Sequence, residues 1–211
     1  MAWLPGSRQI LAIKAGAFLL ALAPFVWLVW GAFTGGLGTN PIEKLTRDTG
    51  WWCLVMLLAT LSLTPLRKLA SMHWVLRLRR MLGLYAFFYG ALHLTTFIWF
   101  DHWFDLMEMF KDVIKRPFIT VGFAAFLLML PLALTSTNAM VRRLGGRNWQ
   151  RLHRLAYVVP ALGVLHYWWL VKADVREPLA FGAVLAVLLG LRAWWHWRER
   201  RPASVRQAGV R

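Results

Sequence analysis

The sequence predicts an all-α, polytopic integral membrane protein, built as a six-transmembrane-helix bundle. Of its 211 residues, 59% are hydrophobic and only 16% are charged, whereas about 25% of the residues in soluble domains are charged. A soluble domain of this size could not bury so much apolar surface. Uncharged runs recur along the chain, and they are apolar on every face, unlike the alternating strands of a membrane β-barrel.

The six helices follow from these runs in order. A helix needs about 20 residues to cross the hydrocarbon core, and five runs of 17–25 residues have this length directly. The sixth is short unless the basic head of Arg192 reaches the interface. The first run extends ten residues past a signal-peptide-like cleavage site, so we expect it to be retained as a helix. The predicted helices lie at approximately 10-33, 49-68, 80-100, 117-141, 152-171 and 178-197, within a single domain over 1-211.

The distribution of basic residues predicts the orientation. The two tails and the second and fourth loops contain 18 of the 25 Lys and Arg residues, with Glu199 as their only acid. The loops on the other side contain seven basic and eight acidic residues. Because basic loops stay cytoplasmic, we expect the N- and C-termini to be cytoplasmic. The same bias explains the net charge of +16 without a nucleic-acid partner.

The one long outer loop, 101-116, has apolar residues at helical spacing with charged residues between them. This pattern is typical of an amphipathic helix that lies on the membrane surface. Two interpretations stay open: the segment closes the edge of the bundle, or it docks an outer partner.

Two of the six histidines, His93 and His166, lie inside uncharged runs. Ionisable groups within a span are costly and usually functional. Both lie toward the outer face, His93 roughly 18 Å from the inner end of its helix. A neutral imidazole is a good ligand for haem iron, and helix bundles build such sites from facing helices. The alternative is a hydrogen-bonded histidine in the core. Cys53 is the only cysteine, so a disulfide framework and a Cys-based zinc or iron–sulfur site are excluded.

A second, inner site is less clear from spacing alone. His153 precedes His166 by 13 residues, which places the two about 140° apart on an ideal helix. Pro160 lies between them, and a proline kink could turn both inward. On the third helix Arg79 is only about 40° out of phase with His93. Arginine is normally charged and a poor ligand, so a propionate, phospholipid or topology role is its ordinary interpretation.

Eight short stretches stand out by their order and spacing: GGLGTNP at 35–41, ATL at 59–61, TPL at 64–66, RRMLGL at 79–84, HLT at 93–95, LTSTNAM at 134–140, WQRLHRLAY at 149–157 and HY at 166–167. Taken together, from about residue 25 to 178, they resemble the MsrQ (YedZ) family of haem-binding membrane subunits. The wider relatives are the ferric reductase and NADPH oxidase membrane domains.

The resemblance implies a b-type haem conduit in the bacterial inner (cytoplasmic) membrane. It implies electrons taken from the quinone pool or a cytoplasmic flavin reductase and passed to MsrP, a periplasmic molybdenum enzyme that reduces methionine sulfoxide in envelope proteins. One or two haems are expected. FMN has been associated with the family, although the sequence has no flavin motif. No substrate chemistry of its own is expected, and whether the chain counts as an enzyme stays open.

The resemblance also assigns ligand positions. Its haem ligands map onto His93, His153 and His166, with Arg79 as a tentative fourth where the oxidase relatives have a histidine. Further basic residues are candidates to bind the haem propionates: Arg77, Arg80, Arg151 and Arg154.

Two other functions remain as alternatives. One is a ferric reductase-like or NADPH oxidase-like haem conduit with another acceptor. The other is a non-redox membrane transporter or assembly factor. An inverted repeat would favour a transporter, and the sequence has no convincing internal symmetry.

Overall fold

The computed structural model describes residues 5–200, and every regular element in that range is helical, which confirms the all-α prediction. The predicted C-terminal tail beyond residue 200 and the first four residues of the predicted single domain lie outside the described residues. The helices are α1 (Ser7–Thr34), α2 (Pro41–Ala70), α3 (Arg79–Thr96), α4 (Leu106–Lys115), α5 (Pro117–Leu134), α6 (Asn138–Leu144), α7 (Gly146–Leu152), α8 (Leu155–Leu170) and α9 (Arg176–Arg200).

The protein is a multi-pass membrane protein. Five helical segments of the described chain are long and apolar enough to cross a membrane: Ser7–Thr34, Pro41–Ala70, His73–Asp101, Pro117–Leu134 and Arg176–Glu199. The third of these joins α3 to the 3-10 turn before it and the π turn after it. α8 packs against α5 and α9, but its 16 residues cover only about 24 Å at 1.5 Å per residue. A count of six spans therefore stays a prediction.

The helix ends differ from the predicted bounds where local hydrogen bonds intervene. α5 ends at Leu134, seven residues earlier than predicted. The Thr135 hydroxyl donates to the carbonyl of Pro131 at 2.6 Å, and the Thr137 hydroxyl accepts from the amide of Met140 at 3.2 Å. Thr135 thus bonds a carbonyl at the C-terminal end of α5, and Thr137 bonds an amide at the N-terminal end of α6, where the helices lack internal partners. The uncharged run is therefore divided between α5 and α6.

α2 begins at Pro41, eight residues before the predicted start at 49. Asn40 caps it by accepting from the amide of Glu43 at 3.3 Å, and proline is favoured at the first helical position. α8 begins at Leu155, three residues after the predicted start at 152, because residues 153–154 form a turn. Asp105 caps α4, so only part of the predicted outer segment 101-116 is α-helical.

The largest packing interfaces join α2 to α3 and α5 to α8. A buried cluster fills the space between the helices: Ala21, Met56, Tyr85, Ala86, Tyr89, Met129 and Val159. Tyr89 has no exposed surface and its ring contacts those of Trp52 and Phe88. This cluster fixes α1 against α3, the helix that contains His93.

The hydroxyl of Tyr89 contacts the backbone of α1 next to Pro24. It donates to the carbonyl of Ala21 at 2.7 Å and accepts from the amide of Phe25 at 3.2 Å. These two backbone groups are four residues apart, the spacing of a bonded pair in a regular helix. Pro24 has no N–H, so the hydrogen-bond ladder of α1 is interrupted one residue earlier, at the carbonyl of Leu20. Tyr89 therefore joins α3 to the proline site of α1.

Replacing Tyr89 with Phe should lower the free energy of unfolding by about 1 kcal/mol, because hydrogen bonds between membrane helices contribute on this scale. The Ala21 carbonyl and the Phe25 amide would each lose their bond to the hydroxyl while the ring kept its packing. Reversible unfolding in mixed micelles would measure the change. Tyr85→Phe is the matched control, since Tyr85 makes a single bond, to the carbonyl of Phe18 at 3.1 Å. Equal losses in the two variants would contradict the bridging role.

Candidate functional site

The structure brings His93 and His166 together in the interior of the bundle. α3 supplies His93 and α8 supplies His166, and the centroids of the two imidazole rings are 6.1 Å apart with their planes at 73°. Both residues are partly buried. Two imidazoles that face each other from different helices form an arrangement able to share one ligand.

Each imidazole is fixed by a main-chain carbonyl of a neighbouring helix. His93 Nδ1 lies 2.8 Å from the carbonyl oxygen of Thr46 on α2, and His166 Nδ1 lies 2.6 Å from that of Phe118 on α5. The hydroxyl of Thr49 donates to the same Thr46 carbonyl at 3.0 Å. Since a carbonyl oxygen only accepts, both Nδ1 atoms donate a hydrogen, and Nε2 of each neutral ring keeps its lone pair.

The separation of the ring centres is the size that a metal held between two imidazoles would require. A metal–imidazole bond is about 2 Å and the ring centre lies about 1 Å behind the nitrogen, so two imidazoles on one metal would have centres roughly 6 Å apart. The observed 6.1 Å agrees with that separation. Within residues 5–200, no three His, Cys, Asp or Glu side chains group as a metal site. The donor set is thus a pair of imidazoles, which is the axial set that haem iron accepts.

His153 lies in the turn before α8, at the opposite end of that helix from His166. Its Nε2 is 2.9 Å from the hydroxyl of Thr135, and its ring stacks on that of Trp149 with centroids 3.9 Å apart. The Trp149 indole N–H donates to the carbonyl of Thr135 at 2.9 Å. Burial, and then the charges of Arg79 and Arg80, lower the pKa of His153 below its ordinary value. His153 is therefore held against α5 near two arginines.

His166 of α8 and His153 in the turn before it both contact the α5 region, although an ideal helix would separate them widely. His166 bonds Phe118 near the start of α5, and His153 bonds Thr135 directly after its end. The turn at residues 153–154 breaks the helical phase before Leu155. Because His153 lies in this turn and outside α8, the ideal-helix angle calculated from the sequence does not apply to the pair, and a kink at Pro160 stays a prediction.

The predicted basic residues separate into two groups. Arg79 is partly buried, at the start of α3, and lies close enough to His153 for their charges to interact. Arg80 donates to the side-chain oxygen of Asn138 at 2.7 Å. Four of the predicted residues have exposed side chains: Arg77, Arg80, Arg151 and Arg154.

Sequence reasoning missed several site residues. Arg192 of α9 donates to the carbonyl of Leu61 and lies 5.1 Å from the ring of Tyr157. Its charge within an apolar run was the only available signal, and it was interpreted as an interfacial residue. The carbonyls of Thr46 and Phe118 carry no sequence signal, because every residue has a carbonyl.

Comparison with known families defines the class of this protein. Residues 49–164 match the family described as "Ferric reductase like transmembrane component". The match covers more than half of the chain and includes His93 and His153, and His166 follows two residues beyond it. The chain belongs to this family of membrane domains.

Relatives define the particular family within that class. The chain is 57% identical to a protein of Herminiimonas arsenicoxydans over 95% of this chain and 93% of the relative. It is 55% identical to one of Ralstonia nicotianae (96% and 94%) and 50% identical to one of Bordetella pertussis (91% and 95%). Each of these relatives is named "Protein-methionine-sulfoxide reductase heme-binding subunit MsrQ". The chain is therefore a member of the MsrQ family, as its motifs predicted.

Proposed function

We propose that the protein is a haem-binding membrane subunit that conducts electrons to a methionine sulfoxide reductase. The observation that carries the proposal is the pair His93 and His166, with ring centres 6.1 Å apart and both Nδ1 atoms bonded to carbonyls. The names of the MsrQ relatives support the same cofactor and reductase system.

His93 and His166 are the residues that would hold an outer b-type haem. A haem bound there would supply one-electron transfer, which these side chains cannot perform themselves. The protein's part is to present both Nε2 atoms in a fixed tautomer and orientation and to keep water away from the centre. Hydrogen bonds from ligating histidines to carbonyls raise ligand basicity and orient the rings. The packing of α2, α3, α5 and α8 provides the apolar surroundings.

An inner haem site is proposed around His153 and Arg79. The fit is less direct here, because His153 Nε2 bonds the hydroxyl of Thr135. The nearby guanidinium groups suit anionic propionates, since charge-assisted bonds to carboxylates are strong. Arg77, Arg80, Arg151 and Arg154 are proposed propionate contacts, and Arg79 is either a ligand or a contact of this kind.

We further propose that both termini lie on the cytoplasmic side of the bacterial inner membrane. Electrons are then supplied from the quinone pool or a cytoplasmic flavin reductase and leave on the periplasmic side toward MsrP. On the proposed outer surface, Met109 and Val113 of α4 are buried, while Met107 and Phe110 are exposed on the side where MsrP would dock.

FMN has no proposed residues in this chain.

Dithionite-reduced minus oxidised visible spectra of the purified protein test the outer site. His93→Ala and His166→Ala should each abolish the outer haem, lowering haem from about two per chain to about one, because one axial imidazole is lost. His73→Ala is the control, since His73 lies outside the pair and is exposed. Full haem content in either variant, or colourless folded wild-type protein, would overturn the assignment.

Variants at the inner end test the second site. His153→Ala should leave the outer bands intact and lower haem toward about one per chain. If Arg79 is a ligand and water takes its place in Arg79→Ala, the reduction potential of the inner haem should rise. If Arg79 only binds propionates, Arg79→Ala should instead lower the haem occupancy. Redox titration with haem quantification distinguishes these results. Two haems with unchanged potentials in both variants would contradict an inner site at these residues.

A stopped-flow experiment tests the acceptor. Reduced protein in nanodiscs should be re-oxidised rapidly when oxidised periplasmic MsrP is added, because electrons leave on the outer side. A soluble ferric chelate added instead tests the reductase-like alternative. Slow oxidation by MsrP together with fast oxidation by the chelate would favour that alternative.

A further inference from the structure

The helices that bind the two histidines carry a glycine at an equivalent position. Gly50 follows Thr46 by four residues on α2, and Gly122 follows Phe118 by four residues on α5. Thr46 and Phe118 are the residues whose carbonyls bind the imidazoles. The same spacing therefore occurs at two independent contacts in different helices.

The spacing has a direct steric meaning. Cα–Cβ bonds in an α-helix tilt toward its N-terminus, and residues i and i+4 lie one above the other on the same face. A Cβ at position i+4 therefore leans over the carbonyl of residue i. Glycine at i+4 leaves that carbonyl uncovered on its outer side, so that it can accept a second hydrogen bond besides the one within the helix.

The distances show that the imidazoles use this space. A methyl group on Gly50 would lie 3.0 Å from Cε1 and 3.1 Å from Nδ1 of His93. A methyl group on Gly122 would lie 2.8 Å from Cε1 and 2.7 Å from Nδ1 of His166. Non-bonded carbon atoms pack at about 3.5–4.0 Å, so an alanine at either position would displace the ring.

We propose that Gly50 and Gly122 are positioning residues for the histidine pair. Each glycine exposes the carbonyl one helical turn before it, and that carbonyl fixes the facing imidazole with hydrogen on Nδ1 and the lone pair on Nε2. They act through the histidines and contact no ligand themselves. The expected effect of the glycines on haem binding rests on the proposed haem site. The tautomer of each histidine is a property of the haem-free chain and does not depend on that site.

The first test uses the haem-free, full-length wild-type chain. With ¹⁵N-labelled histidine, NMR in detergent should show two neutral rings that carry hydrogen on Nδ1, and His93→Gln and His166→Gln identify the two signals. Hydrogen on Nε2 in both rings would overturn the proposal. This measurement needs no glycine variant, so it can overturn the proposal even if such a variant fails to fold.

The second test uses Gly50→Ala and Gly122→Ala. Each should lose the Nδ1–H tautomer of its facing histidine in the haem-free chain. Each should also lower haem affinity about 10–100-fold, the usual effect of removing an outer-shell partner of a metal ligand. Haem transfer to an excess of an apo acceptor protein measures the affinity, and electron paramagnetic resonance of the oxidised protein reports a changed axial geometry.

Gly163→Ala is the matched control. A methyl group on Gly163 would lie 2.8 Å from Cδ2 of Leu54, an equally close contact that involves no histidine. It should keep the tautomers and the haem affinity. Wild-type tautomer and affinity in both test variants, or an equal loss in Gly163→Ala, would overturn the positioning role. Wild-type protein that binds no haem but shows both Nδ1–H rings would overturn the proposed function and leave the positioning role standing.

Discussion

The bilayer core offers polar groups no hydrogen-bond partner, and this constraint organises the spanning helices of the protein. A polar side chain within a span has to find its partner inside the protein, because an unsatisfied group in hydrocarbon costs several kcal/mol. The partner is repeatedly a main-chain carbonyl. The Tyr89 hydroxyl bonds the carbonyl of Ala21, and the guanidinium of Arg192 bonds that of Leu61.

The histidine pair is the functional instance of the same constraint. Because the carbonyls of Thr46 and Phe118 accept hydrogen from Nδ1 of His93 and His166, Nε2 of each neutral ring carries the lone pair. The bonds that satisfy the imidazoles in the membrane interior thus also leave a lone pair on Nε2 of each neutral ring. One of these two contacts is made by α2 and the other by α5.

The two ends of α8 differ in how fully they are prepared. His166 is anchored through Nδ1, whereas His153 bonds the Thr135 hydroxyl through Nε2 and stacks on Trp149. The end of α8 that contains His166 therefore brings together two imidazoles, His93 and His166. The other end combines one imidazole with the guanidinium groups of Arg79 and Arg80, a setting dominated by positive charge. Both ends belong to one chain, which is a member of the MsrQ family.

The sequence by itself determined the all-α membrane class, and it singled out His93 and His166 as ionisable residues within uncharged runs. Long uncharged runs and rare ionisable groups within them are local properties, readable residue by residue. Only the tertiary structure decided where α5 ends, that His153 and His166 share a face, and which carbonyls hold the rings. The first depends on the hydroxyl bonds at Thr135, and the second on a turn that breaks the helical phase. The carbonyl partners lie 47 and 48 residues away in the chain, and contacts between backbone and side chains of different helices leave no periodicity to detect.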